Sequence, residues 1–198
     1  MIESRGFVGR RRAPIVSLPP GQYLTTDFPV LSAGPTPHVR PDQWEFTIDD
    51  GGTVLRRWNW KSFRDLQTEH FTVDLHCVTR WSKLGTMWEG VSFDTLLAGM
   101  SIEASFALAR SYGGYTSNLP LKDLMNKQAW IAFRFDGADL APEHGGPARL
   151  LVPHLYLWKS AKWVRGITLL DHDEPGFWER YGYHNYGDPW REQRYRGD

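Results

Sequence analysis

What most limits the folds open to this chain is the shortness of every periodic run. Nineteen Gly and thirteen Pro are spread through 198 residues, and both residue types interrupt helices and strand ladders. Between them stand WEFTIDDGG (44–52), HFTVDLHCV (70–78), ASFALARSYGGY (104–115), AWIAFRFDGADL (129–140), PARLLVPHLY (147–156) and KWVRGITLLD (162–171). These segments alternate apolar and polar residues or run into a turn signal, as strands do. Only short helices fit between them. Ser62 offers an N-cap in KSFRDLQ, Ser92 caps a helix after a short strand in WEGV, and LPLKDLMN (119–126) reads as one more short turn. Strands joined by short helices rather than long crossovers predict an α+β chain with mixed, mostly antiparallel sheets.

The chain is 41% hydrophobic, enough for one sizeable core. Residues 1–27 are basic and rich in breakers, which predicts an extended N-terminal arm, and 28–198 is predicted to form one domain. Lys plus Arg equals Asp plus Glu at 23 each, so net charge gives no argument for nucleic acid as a partner. No apolar run reaches the roughly 18 residues of a membrane span. The arginines of the opening segment are not followed by an apolar stretch, so it reads as neither a Sec nor a twin-arginine signal.

Cys77 is the single cysteine, which rules out an internal disulfide or a CxxC pair and predicts a reducing, cytoplasmic location. It shares one face of HFTVDLHCV with Phe71, Val73 and Leu75. A lone Cys there is most often a small buried hydrophobe. Arg80 three residues on would favour a thiolate, which a soft metal or a nucleophile requires. The seven histidines are scattered without HExxH or H-x3-H spacing.

Two further stretches can carry chemistry. In PEHGGPARLLVPHLYLWKSAKWVR (142–165), Gly145, Gly146 and Pro147 form a tight turn. Arg149, Lys159, Lys162 and Arg165 follow as donors for anionic oxygens. A solvated basic edge strand would look the same. The last 28 residues hold Phe177, Trp178, Tyr181, Tyr183, Tyr186, Trp190 and Tyr195, too many aromatics for a disordered tail. That segment should dock on the body or line a site.

Taken together, HCVTRWSKLGTMWEGV, GGYTSNLPL, PEHGGPARLLVPHLYLWKSAKWVRGI and GFWERYGYHNYGDPWREQRY resemble the sulfite oxidase family of molybdopterin oxidoreductases. The likeness is strongest to its small bacterial members related to the catalytic subunit of methionine sulfoxide reductase. The resemblance spans residues 28–195. It implies an α+β domain binding one molybdenum through the dithiolene of a molybdopterin and one cysteinate, here Cys77. It further implies that His144 and Arg149 contact the pterin or its phosphate, that Ser160, Ala161 and Lys162 close over it, and that Tyr183 stands beside the metal. Arg80, close to Cys77 in sequence, is expected to orient substrate oxygen together with Tyr183. Trp44 and Glu45 match, more loosely, a cofactor-contacting pair.

The departures bear on substrate. Leu31, Ser32 and Ala33 replace an Arg-Asn-His run of true sulfite oxidases, and Ser82 replaces an arginine five residues after the ligand cysteine. A sulfite dianion would be poorly neutralised in such a pocket. The expectation is therefore two-electron oxygen-atom transfer on a small oxyanion, sulfoxide or N-oxide, with sulfite itself disfavoured. The chain lacks C-x-x-C-H, so its electrons should pass through a separate partner. The alternative is a non-catalytic module that keeps the fold and carries the cofactor.

Overall fold

The computed structural model of the chain describes residues 17–198, so the first sixteen residues of the expected arm lie outside the described residues. The remainder of that arm contributes β1 (Tyr23–Leu24). Next come β2 (Glu45–Asp49), β3 (Val54–Asn59), α1 (Trp60–Arg64), β4 (Glu69–His76), β5 (Trp81–Ser92) and α2 (Phe93–Leu97). Then follow β6 (Phe106–Ser111), β7 (Thr116–Pro120), β8 (Trp130–Phe135), β9 (Ala138–Asp139), β10 (Arg149–Leu151), β11 (Val164–Leu170) and α3 (Phe177–Arg180).

The strands form two sheets. One has six strands in the order β1-β5-β8-β10, with β4 on β5 and β9 on β8; the other has five in the order β3-β2-β11-β6-β7. Pairing is antiparallel except for β1 with β5 and β2 with β11, which agrees with the mostly antiparallel expectation. The parallel pairs join segments far apart in sequence, and no local pattern could announce them.

Two details differ from the sequence reading, each for a local reason. The first helix begins at Trp60, and its cap is Asn59, whose side chain accepts from the Ser62 amide at 2.9 Å. Ser62 lies inside the helix. The strand expected in WEGV is twelve residues long because Gly90 does not end it. A Cβ at Gly90 would lie 2.7 Å from the Ile131 carbonyl, so glycine there allows β5 to approach β8 closely. The Ser92 cap stands as read, accepting from the Thr95 amide.

Between the sheets lies the main core, which includes Phe46 and Ile48 of β2, Ala109 of β6, Val91 of β5, Ile131 and Phe133 of β8, and Ile167 of β11. Phe46 is fully buried, and its truncation to Ala would cost about 3–5 kcal/mol. A smaller cluster contains Leu75, Cys77, Trp81, Trp88 and Leu151, with Phe28 packed against it. The turn from β4 to β5 therefore holds Cys77 on the wall between this cluster and the cavity described next.

Candidate active site

A cavity of about 550 Å³ opens where six chain segments meet: 28–37, 77–81, 112–115, 144–149, 157–163 and 177–183. Cys77, His144, Arg149, Ser160, Lys162 and Tyr183 all line it. Four others expected beside them do not. Arg80 is exposed, with a left-handed backbone (φ 77°) that closes the β4–β5 turn. Ala161 is buried in the main core. Trp44 is also in that core, donating from Nε1 to the Val164 carbonyl at 3.0 Å. Glu45 pairs with Arg57 at 2.8 Å, and its amide donates to the Tyr112 hydroxyl, so the pair stands behind the cavity wall.

Cys77 is 7% exposed. Its amide donates to the Trp81 carbonyl at 2.9 Å, while the Arg80 amide donates to its carbonyl at 3.0 Å. Thr79 Oγ1 donates to the sulfur at 3.1 Å. Burial pushes the thiol pKa up; the Thr79 hydrogen bond and the charge of Arg194 pull the other way. Arg194, far along the chain, thus acts on this thiol, and Lys162 is coupled to it as well; Arg80, which the sequence had suggested, is not among the groups that shift it.

On the far wall, the HGGPAR turn and WKSAKW lie together. A Cβ on Gly146 would fall 2.0 Å from the Leu140 carbonyl, so only glycine lets the turn lie against the residue that follows β9. Arg149 is 2% exposed and donates to the carbonyls of His144 (3.0 Å) and Ser160 (2.9 Å). Burial lowers its pKa to about 10. Lys162 Nζ donates to the carbonyls of Glu143 (2.6 Å) and Leu31 (2.8 Å). Burial, then the charge of Arg149, lowers its pKa to about 8. His144 stacks on Phe28 at 4.0 Å, and burial with the two cations holds its pKa down, so its ring is neutral near pH 7.

The third wall is aromatic. Tyr183 stacks on Trp178 at 4.8 Å and meets Trp158 edge-on at 5.1 Å. Burial, Tyr195 and Cys77 raise its pKa, so the phenol keeps its proton as a donor. Tyr115, which the sequence reading left without a role, also lines the cavity. Its hydroxyl donates to the Trp158 carbonyl, and burial holds its pKa well above the usual tyrosine range. The signal for it was present in GGYTSNLPL.

The model of the family described as oxidoreductase molybdopterin binding domain matches residues 33–178. The chain belongs to that family. This molybdopterin-dependent oxidoreductase is 41% identical to the uncharacterized oxidoreductase YuiH of Bacillus subtilis (strain 168), over 91% of this chain and 93% of that protein. It is 30% identical to the protein-methionine-sulfoxide reductase catalytic subunit MsrP of Gluconobacter oxydans (strain 621H), over 57% of this chain and 42% of MsrP. The sulfane dehydrogenase SoxCD of Paracoccus pantotrophus superposes with a TM-score of 0.61 at 20% identity, over 70% of this chain and 41% of that one. That likeness shows a shared fold, and the predicted α+β molybdopterin-binding architecture stands.

The cavity walls of this oxidoreductase suit such a cofactor. Arg149 and Lys162 form no ion pair among the described residues and donate only to carbonyls, leaving two positive charges for an anionic group such as a phosphate. His144 Nδ1 and Trp81 Nε1 are buried without a hydrogen-bond partner, at a cost of about 1–3 kcal/mol each that a polar ligand edge would offset. No group of three or more His, Cys, Asp or Glu among the described residues could hold a metal. A metal at Cys77 would therefore take its other ligands from the cofactor.

Proposed function

We propose that this molybdopterin enzyme takes an oxygen atom from a neutral sulfoxide or N-oxide, or returns one to the corresponding sulfide or amine, with Cys77 as the protein's ligand to molybdenum. The observation that carries this reading is the division of one cavity into two kinds of wall. Both cations that line it, Arg149 and Lys162, belong to the HGGPAR and WKSAKW wall. The walls nearer Cys77 are built from Thr79, Trp81, Trp178 and Tyr183.

Arg149, Lys162 and His144 would hold the pterin and its phosphate, and Cys77 would hold the metal. When bound, the molybdenum centre supplies the two-electron couple for oxygen-atom transfer. Tyr183, protonated and framed by Trp178 and Trp158, would donate a hydrogen bond to the substrate oxygen. Ser82 does not line the cavity; it is fully buried and bonded to His76 at 2.8 Å. Without an arginine at that position, the cations an oxyanion could meet in the cavity are Arg149 and Lys162, which the cofactor phosphate would occupy. This favours a neutral substrate over a small oxyanion.

Electrons would pass to or from a separate protein. No helix among the described residues is long and apolar enough to cross a membrane, and the similarity to a protein named as a catalytic subunit supports a division of labour. We place the enzyme in the cytoplasm on the strength of its lone thiol. Protein from a molybdenum-replete host should contain molybdenum and pterin. After reduction by dithionite, neutral sulfoxides or N-oxides should reoxidise it faster than sulfate or nitrate. Well-folded protein without molybdenum would sink the cofactor assignment, and faster reoxidation by oxyanions would sink the substrate class.

A further inference from the structure

Both ends of the described chain hold the turn that carries Cys77 from its outer side. From the N-terminal end, Gln22 Nε2 donates to the Cys77 carbonyl at 3.1 Å, and Ser82 Oγ donates to Gln22 Oε1 at 3.3 Å. From the C-terminal end, Arg194 Nη1 donates to the Val78 carbonyl at 2.8 Å, and Nη2 donates to the Pro20 carbonyl at 3.2 Å. Arg194 is 6% exposed, and its guanidinium lies over the Tyr156 ring, 5.1 Å from the centroid. Its ionic partner Glu192 is 3.8 Å away and half exposed, which leaves the buried charge poorly neutralised.

The backbone of Arg194 is tied to the other functional wall. Its carbonyl accepts from the His184 amide at 3.1 Å, and its neighbour Tyr195 forms a β-bridge with Tyr183. One residue thus spans the thiol turn, the N-terminal segment just before β1 and the tyrosine segment.

We propose that Arg194 is a positioning residue of the active site. Its guanidinium fork fixes the Cys77 turn against the Tyr183 segment and places a positive charge beside the sulfur when Cys77 binds metal. The effect of the charge on the metal rests on Cys77 being the metal ligand; the hold on the turn does not. Partners behind a metal ligand orient it and tune the metal, and a cation beside an anionic sulfur weakens electron donation to the metal, which raises its reduction potential.

The test compares wild type with Arg194→Gln, Arg194→Lys and, as a control from the exposed part of the same segment, Arg191→Gln. In cofactor-free protein, amide hydrogen exchange over Val78–Trp81 should quicken about tenfold in Arg194→Gln, the loss expected for one hydrogen bond from a charged donor. It should be unchanged in Arg191→Gln, as should exchange in the core strands of every variant. In molybdenum-loaded protein, Arg194→Gln should shift the thiolate-to-metal absorption band and lower the midpoint potential. Arg194→Lys should recover the potential without recovering the turn's protection, because one ammonium replaces a two-nitrogen fork. Unchanged exchange at the turn in Arg194→Gln, with only a lower melting temperature, would overturn the proposal. Wild-type protein that binds no molybdenum would remove the ligand assignment of Cys77 while leaving the exchange result decisive for the positioning role.

Discussion

Lys159 and Lys162 stand three residues apart in WKSAKW, and the fold gives them opposite surroundings. Lys159 is 1% exposed and pairs with Glu179 at 2.6 Å; its ammonium also donates to Asn118 and Asn185. Trp158 Nε1 holds the same Glu179 oxygen at 2.8 Å, so this charge is neutralised inside the protein. Lys162 hydrogen-bonds only to carbonyls, lies over the Trp163 ring and faces the cavity. The pair teaches that a cation is available for ligand binding when the fold withholds its counter-ion, whatever its spacing in sequence.

The strongest way to break this comparison is through stability. Lys159→Met removes one partner of a buried ion pair and leaves the Glu179 carboxylate uncompensated, which should cost about 3–5 kcal/mol. Lys162→Met should cost about 1 kcal/mol, the worth of its bonds to two carbonyls. Denaturant midpoints of the two variants measure both values. Equal losses would mean that Lys162 is as structural as Lys159.

Ligand affinity should reverse the order. Lys162→Ala removes a charged donor from the phosphate wall, so pterin cofactor binding should weaken about tenfold to a hundredfold. Equilibrium cofactor retention after gel filtration reads the change. A folded Lys159 variant carrying Glu179→Gln to relieve the orphaned charge should retain cofactor close to wild type.

Much of this architecture was legible because strands that bury one face must alternate. HFTVDLHCV, ASFALARSYGGY and KWVRGITLLD announced β4, β6 and β11 that way, and Ser92 announced α2 through its cap. Partnering was not legible. β2 meets β11 only after a chain separation of more than a hundred residues, and nothing local in either strand encodes the meeting. The same holds in the site. The HGGPAR turn and Cys77 could be read as chemistry, but which lysine is free depends on Glu179, twenty residues beyond Lys159. Arg194 went unread because aromatics dominate its segment, and its partners Val78 and Pro20 lie at the other end of the chain. Trp44 follows from alternation alone: with Phe46 and Ile48, it falls on the core face of the β2 segment.

A smaller effect tests the free lysine by pH. The Lys162 ammonium titrates near 8, lowered by burial and by Arg149, against an unfolded value of about 10.5. Between those values the unfolded chain binds more protons, so this group's contribution to stability rises with pH across the window. Phosphate affinity moves the other way, since the site loses positive charge as pH passes 8. Wild type minus Lys162→Met should show both slopes, in inorganic phosphate binding and in denaturant midpoint. Slopes of the same sign would mean that the free lysine does not carry the affinity.

The smallest effect is expected at Arg80, and it sharpens the rule drawn from the lysines. Arg80 is the cation nearest Cys77 in sequence, yet its side chain is exposed and outside the cavity lining, and its backbone does the structural work by closing the turn at φ 77°. Removing the charge with Arg80→Asn, a residue that tolerates the left-handed region, should change cofactor retention and reoxidation rate by less than about twofold, because an exposed charge in water is screened. Arg80→Val should cost about 1–2 kcal/mol through the backbone alone, because a β-branched side chain is strained at positive φ. If Arg80→Asn instead lowered the reoxidation rate as much as loss of Tyr183's hydroxyl in Tyr183→Phe, proximity along the chain would have outweighed placement in the fold.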